Sequence, residues 1–241
     1  MRDVITARAL GARGISLLVV AASVVVRLSP PLGVALVYDR VAIAGGQYWR
    51  LLTSNLVHFS WLHLAGDAVM LVVAGWLLDG ARRRVVVALY GGAALSGSLA
   101  VYAFAPELRW YGGLSGVAHA AVVYAALCGV FGIGRGGRVL STVALMLVAA
   151  KIAVDARVPR LVPGVSDATP VVVAHVSHLG AVAVAIALFA GTMFTKRFGR
   201  GRPTAVALGD EASGLEVDHA KRQRVRLEWA RDPHPVPDVR T

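Results

Sequence analysis

Six long apolar stretches govern what this chain can fold into. They cover residues 15–37, 56–78, 85–104, 113–133, 139–154 and 171–194. Each is near the ~20 residues an α-helix needs to cross about 30 Å of hydrocarbon. Charge is sparse between them: 16% of residues are charged and 56% hydrophobic, whereas a soluble domain usually carries about 25% charged residues. Inside hydrocarbon a backbone must satisfy its own hydrogen bonds, which the helix does within one segment. The expected fold is therefore an all-α membrane protein with six transmembrane helices. The first stretch is the weakest, because Arg27 and Pro30-Pro31 interrupt it. Its apolar core, residues 15–26, could also be read as a signal peptide, but Arg27 and the prolines make a poor cleavage region.

Basic residues set the expected orientation. With the N-terminus inside, the cytoplasmic segments hold Arg2, Arg8, Arg13, Arg82, Arg83, Arg84, Arg135, Arg138, Lys196, Arg197, Arg200 and Arg202. The external segments hold only Arg40, Arg50, Arg109, Arg157 and Arg160. That bias in short loops implies N-in and C-in. Trp49, Trp61 and Trp110 then fall at the outer interface, and Arg27 and Lys151 lie near outer span ends, where they can snorkel. Three regions follow: a cytoplasmic N-terminus 1–14, a six-helix membrane domain 15–194, and a basic cytoplasmic tail 195–241. The tail mixes charge with Pro and Gly and reads as disordered, or weakly helical at 220–230 at best, with a basic start suited to anionic lipid. The net charge of +11 could suggest nucleic acid, but its placement in clusters between apolar runs fits membrane topology, so no nucleic-acid partner is expected. The single cysteine, Cys128, excludes a disulfide framework and a Cys-based metal site. No metal or cofactor is expected.

Ionisable groups within a bilayer need a reason to be there, since each costs about 2.5–3.5 kcal/mol on insertion scales. Five histidines precede the tail: His58, His63, His119, His175 and His178. All fall in the second, fourth and sixth stretches, and Asp67 is the one acid well inside a span. Taken singly, such histidines can simply bond across helices. Those three stretches run from outside to inside in the assigned topology, which puts His58 and His63 in the first turns of the second and Ser115 at the start of the fourth. His178 is expected about 10 Å into the sixth, at 1.5 Å rise per residue. Ser115, His63 and His178 can thus share one layer in the outer half of the membrane.

The segment Tyr-Gly-Gly-Leu-Ser-Gly at 111–116 puts glycines around a serine where a loop becomes a helix. Glycine permits a sharp turn and close approach of a substrate carbonyl, and free N–H groups at a helix start can bind an oxyanion. A histidine at the same depth can take the serine proton and return it to a leaving amine. Taken alone, the segment is equally a helix start with serine as cap and glycine for packing. Small residues in the fourth stretch (Ala118, Ala121, Ala125) and the sixth (Gly180, Ala181, Ala185) would let the two helices approach closely.

These elements, taken together over residues 47–191, resemble the rhomboid intramembrane serine proteases. Trp49-Arg50-Leu51-Leu52-Thr53 resembles the segment leading into that family's second helix. His58, His63 and Asp67 resemble its H-x4-H-x3-N pattern, and Gly113-Leu114-Ser115-Gly116 its G-x-S-G. Ser177-His178-Leu179-Gly180-Ala181 resembles its A-H-x-G-G element. His119, four residues after the serine, further resembles the rhombosortase branch, whose substrates would be C-terminal sorting anchors.

The resemblance implies a six-helix serine endopeptidase with Ser115 as nucleophile and His178 as general base, in a dyad without an aspartate. His175 is the alternative base, since it also follows an alanine. The oxyanion would be bound by His63, the residue at 67 and the Gly113–Ser115 backbone, with His58, Gly116 and His119 in support. Position 67 is Asp where most members have Asn; it could donate there only if protonated, or it could orient His63 instead. Arg50 is expected to hold the external loop. Substrates would be membrane-anchored proteins cut near the outer face of a bacterial plasma membrane, with the lipid bilayer as the other partner. Two rivals accompany this reading: an inactive rhomboid-like protein that binds membrane helices, and a proton-coupled carrier using Asp67 and the histidines.

Overall fold

The computed structural model describes residues 11–135, 137–157 and 175–198. The chain divides into two compact units, Met1–Thr192 and Met193–Thr241. The first contains the elements described below; the described part of the second is the end of one helix. Residues 1–10, residues 171–174 of the sixth apolar stretch, and the tail from 199 onward lie outside the described residues.

Each apolar stretch contributes a helix, yet only three helices are individually long and apolar enough to span a bilayer among the described residues. These are α6 (Arg83–Phe104), α8 (Arg138–Arg157) and α9 (His175–Phe198). The first stretch is broken, contrary to the expectation of one helix over 15–37. α1 (Ala12–Leu28) ends at Ser29, and α2 (Pro30–Leu36) leaves at 112° to it. The cause is local: Pro30 has no N–H for α1 to use but suits the first position of a new helix.

The second stretch also starts later than expected. A short α4 (Arg50–Thr53) and a 3₁₀ turn (Ser54–Leu56) meet α5 (Trp61–Leu77) at 97°. Ser60 sets the boundary, its hydroxyl accepting from the His63 N–H at 3.0 Å as an N-cap. His58 is consequently in the connecting loop, not in a helix. Counting each bent pair as one span raises the number to five, and the apolar α7 (Ser115–Val130) has 16 residues. The chain is a helical, multi-pass membrane bundle. Its exposed large side chains include Leu17, Val69, Phe104, Val139 and Leu147, as expected of a surface facing lipid.

Among the described residues, the one exception to an all-helical fold is a two-residue ladder. β1 (Tyr38–Asp39) pairs antiparallel with β2 (Trp110–Tyr111), Tyr38 opposite Tyr111. Asp39 then caps the short α3 (Arg40–Ala44), accepting from the Val41 and Ala42 N–H groups at 2.9 and 3.2 Å. Tyr38, Ile43, Leu51, Val101, Ala105 and Tyr111 form a buried cluster under this ladder. Arg40 fastens it to the end of α6 by donating to the carbonyls of Val101, Tyr102 and Ala105 at 3.1, 2.7 and 3.1 Å. Arg50 ties α4 back to the end of α2, donating to the Val34 and Val37 carbonyls at 2.9 and 2.7 Å. The segment entering α7 is therefore anchored from both sides.

α7 is the hub. It packs against α5, α6 and α8, and its alanines and glycines are almost all buried. α9 approaches α6 through glycine: a Cβ on Gly97 would lie 3.0 Å from the Ser177 carbonyl oxygen, and one on Gly180 would lie 2.7 Å from that of Ser96. Ser96 Oγ donates to the Gly180 carbonyl at 2.8 Å across the same contact. Small residues thus set the helix spacing, which fixes where side chains from α7 and α9 can meet.

Candidate active site

Ser115 is the first residue of α7, and the turn before it is built for proximity. Gly113 has φ +128°, a region that side chains rarely occupy. A Cβ there would lie 2.7 Å from His63 Cε1, 2.8 Å from its Nε2 and 3.3 Å from Asp67 Oδ2. On Gly112 a Cβ would meet the Val57 carbonyl oxygen at 2.8 Å. Both glycines are dictated by neighbours as much as by the turn. The Gly113 N–H donates to the Ser54 carbonyl at 3.2 Å. The N–H groups of Ser115 and Gly116 have no acceptor among the described residues, as is usual in a helix's first turn.

Ser115 Oγ lies 3.0 Å from His178 Nε2. His178 is 1% exposed and stands in the first turn of the described part of α9, which begins at His175. His175 makes no hydrogen bond to Ser115; of the two candidate histidines, His178 carries the contact. His119, one turn below Ser115, stacks on His178 with ring centroids 4.3 Å apart and planes 20° from parallel. Its Nδ1 lies 2.6 Å from the Ser115 carbonyl oxygen. A carbonyl only accepts, so His119 carries a proton on Nδ1. Gly116 keeps this region narrow, since a Cβ there would be 3.5 Å from that of Ala181 on α9.

On the other side of Ser115 are His58, His63 and Asp67. Asp67 Oδ2 lies 3.1 Å from His58 Nε2 and 3.4 Å from His63 Nε2. The Leu114 N–H donates to His58 Nε2 at 3.3 Å, while His58 Nδ1 faces the Leu56 carbonyl at 3.3 Å. An amide only donates and a carbonyl only accepts, so the neutral His58 tautomer that satisfies both carries its proton on Nδ1. The three residues' ligand atoms lie within 4.8 Å of one another, a grouping that could also hold a metal ion. The hydrogen bonds among them give the grouping a role without one.

One polar group in this neighbourhood escaped the sequence reading, in which Asp67 was the one acid well inside a span. Asp155 on α8 is 4% exposed. Its Oδ2 lies 2.5 Å from Lys151 Nζ and 3.9 Å from His178 Nδ1. The expected fifth span stopped at residue 154, which left Asp155 outside it and Lys151 as a snorkelling base. The usable signal was their spacing of four, which pairs them on one helix face.

A serine hydroxyl against an imidazole nitrogen, at a helix start with free amides and a further histidine beside it, can perform acyl transfer. A family model described as Rhomboid domain matches residues 45–207, roughly two thirds of the chain. No curated protein matches at a significant level.

Proposed function

The chain belongs to the rhomboid family of intramembrane serine proteases, and from that premise we propose that it is an active endopeptidase with a Ser115–His178 dyad. The observation that carries this reading is the 3.0 Å contact between Ser115 Oγ and His178 Nε2. Ser115 attacks the scissile carbonyl while its proton passes to His178 Nε2. That proton then goes to the leaving amine, and water hydrolyses the acyl-enzyme by the same route in reverse.

The developing oxyanion lies between α7's first turn and α5. Its donors are the Ser115 N–H and the His63 Nε2–H. The Gly113 N–H is taken by Ser54, so Gly113 contributes space for the oxyanion rather than a hydrogen bond. Asp67 bridges the two histidines: with His58 Nε2 already accepting from Leu114, the Asp67 contact at 3.1 Å needs the carboxyl proton. A protonated Asp67 donates to His58 as an asparagine amide would, and its neutrality removes the repulsion that a carboxylate would exert on the oxyanion. One good oxyanion donor contributes about 10²–10³ in kcat.

In this reading six helices span the membrane with both termini inside, which sets Ser115 beneath the outer surface. Substrates are membrane-anchored proteins, and a helix must unwind before its peptide bond reaches Ser115, which favours helix-weakening residues near its outer end. His119, stacked on His178 and bonded to the Ser115 carbonyl, supports a place near the rhombosortase branch, whose substrates carry C-terminal sorting anchors. The dyad needs no cofactor.

The test is co-reconstitution of the full chain with candidate anchored proteins in liposomes. Cleavage should be present in wild type and His175→Ala and absent in Ser115→Ala and His178→Ala. Cleavage that survives Ser115→Ala would overturn the proposal. Folded wild type that binds the anchors without cutting them would favour the inactive, helix-binding alternative.

A further inference from the structure

The base in this site has a second nitrogen that the dyad leaves unexplained. His178 Nε2 must accept the Ser115 hydroxyl proton, so the neutral ring holds its own proton on Nδ1. That Nδ1 is buried and has no hydrogen-bond partner among the described residues. Its nearest acidic oxygen is Asp155 Oδ2, at 3.9 Å. α8 is an apolar helix that faces outward along most of its length; only Ser141 and Asp155 are buried on it. A buried carboxylate on a lipid-facing helix requires a partner, and two cations or potential cations are present, Lys151 and His178. Lys151 Nζ is 2.5 Å from the same oxygen but its side chain is 48% exposed, whereas that of His178 is 1% exposed. The carboxylate therefore faces the base on its inner side and Lys151 on its outer side.

We propose that Asp155 is a positioning residue for His178, making the site a Ser115–His178–Asp155 arrangement drawn from three helices, α7, α9 and α8. This rests on the protease reading above. In the resting enzyme the Nδ1–H points at Asp155 across a gap longer than a hydrogen bond. When Nε2 takes the Ser115 proton, the ring becomes an imidazolium and is drawn about 1 Å toward the carboxylate, as catalytic hydrogen bonds commonly tighten in the reacting complex. The Ser115 proton stays on Nε2 until the leaving amine takes it. Asp155 accepts no proton; it orients the ring and stabilises its charge. The other titratable groups facing the ring are His119 from α7, stacked on it, His175 from its own helix and His63 from α5.

The experiment compares full-length wild type, Asp155→Asn, Asp155→Glu and Lys151→Gln in liposomes, cleaving a fluorogenic transmembrane substrate from pH 5 to 9. Asp155→Asn should lower kcat by about 10–100-fold with little change in KM. The acid limb of its kcat/KM profile should move to lower pH, because the imidazolium loses its counter-charge. Asp155→Glu should recover part of kcat, and Lys151→Gln should move the acid limb to higher pH. Unchanged kcat and an unchanged profile in Asp155→Asn would overturn the inference while leaving the protease reading intact; an uncleaved substrate in wild type would overturn that reading itself. A second measurement needs no variant at Asp155. In 15N-histidine-labelled wild type, with His178 assigned by difference against His178→Ala, the neutral ring should be a single tautomer protonated on Nδ1. A proton on Nε2, or a mixture of tautomers, would contradict the arrangement.

Discussion

Replacing Gly113 by alanine perturbs the site at one point with a calculable geometry. At φ +128° the new side chain is strained by about 1–3 kcal/mol whatever surrounds it. Its Cβ would also sit 2.7 Å from His63 Cε1 and 2.8 Å from Nε2. Ordinary carbon contacts lie near 3.5–4.0 Å, so the His63 ring must retreat by roughly 1 Å. A misplacement of that size commonly costs about 10²-fold in rate, and complete loss of an oxyanion donor about 10²–10³. The expected fall in kcat/KM is therefore about 10²–10³-fold, mostly in kcat, with a lowered Tm. The assay is cleavage of a fluorogenic transmembrane substrate by purified protein, with Tm followed by intrinsic fluorescence. Gly66→Ala is the control: it lies on α5 close to the same site in sequence, but a Cβ there meets nothing within 4 Å, so its activity should stay within about twofold of wild type. Near-normal cleavage by folded Gly113→Ala would refute the assigned position of His63 at the oxyanion.

At position 67, Asp67→Asn should retain cleavage within about threefold, because the amide supplies the donor that the carboxyl proton supplies now. Asp67→Ala should lose about 10–100-fold by leaving buried imidazole groups unpaired; equal loss in both variants, in the same assay, would show that the ionised carboxylate is required. At the α6–α9 contact, Gly180→Ala forces a Cβ to 2.7 Å from the Ser96 carbonyl oxygen and 2.8 Å from Ala100 Cβ. The expected cost is about 1–3 kcal/mol in stability, read as a lower Tm, with reduced cleavage as His178 moves off Ser115. Asp79 pairs with Arg13 across the α1–α5 end of the bundle, and that hydrogen bond holds its carboxyl below the usual range. A depressed carboxylate contributes stability above its unfolded pKa and loses that contribution as pH falls through its folded value. Wild type should thus exceed Asp79→Asn slightly in Tm at pH 7, and the difference should fade as acidification carries the solution below the ordinary aspartate range.

The sequence made the chemistry of this site more legible than its geometry. Ser115, His63 and His178 stood out because a hydroxyl and imidazoles are expensive in hydrocarbon and fell at one depth in alternate stretches. Helix boundaries were harder to read, because apolar runs continue through breaks that polar details decide. Pro30 ended the first helix, and the Ser60 cap moved the start of the second, leaving His58 in a loop. Hydropathy cannot register either event. The Tyr38–Tyr111 pairing joins residues 73 positions apart and carried no local pattern at all. Asp155 was missed because the expected fifth span stopped at residue 154 and left it outside, and only the packing of α8 on α7 turns it inward.

Activity-based labelling tests the central claim most directly: that the imidazole of His178 activates the hydroxyl of Ser115. Purified full-length protein is treated with a fluorophosphonate, and the modified residue is mapped by peptide mass spectrometry. The adduct is expected on Ser115 alone, retained in His175→Ala and reduced to background in His178→Ala. Labelling at another serine, or at Ser115 with undiminished rate in folded His178→Ala, would contradict it.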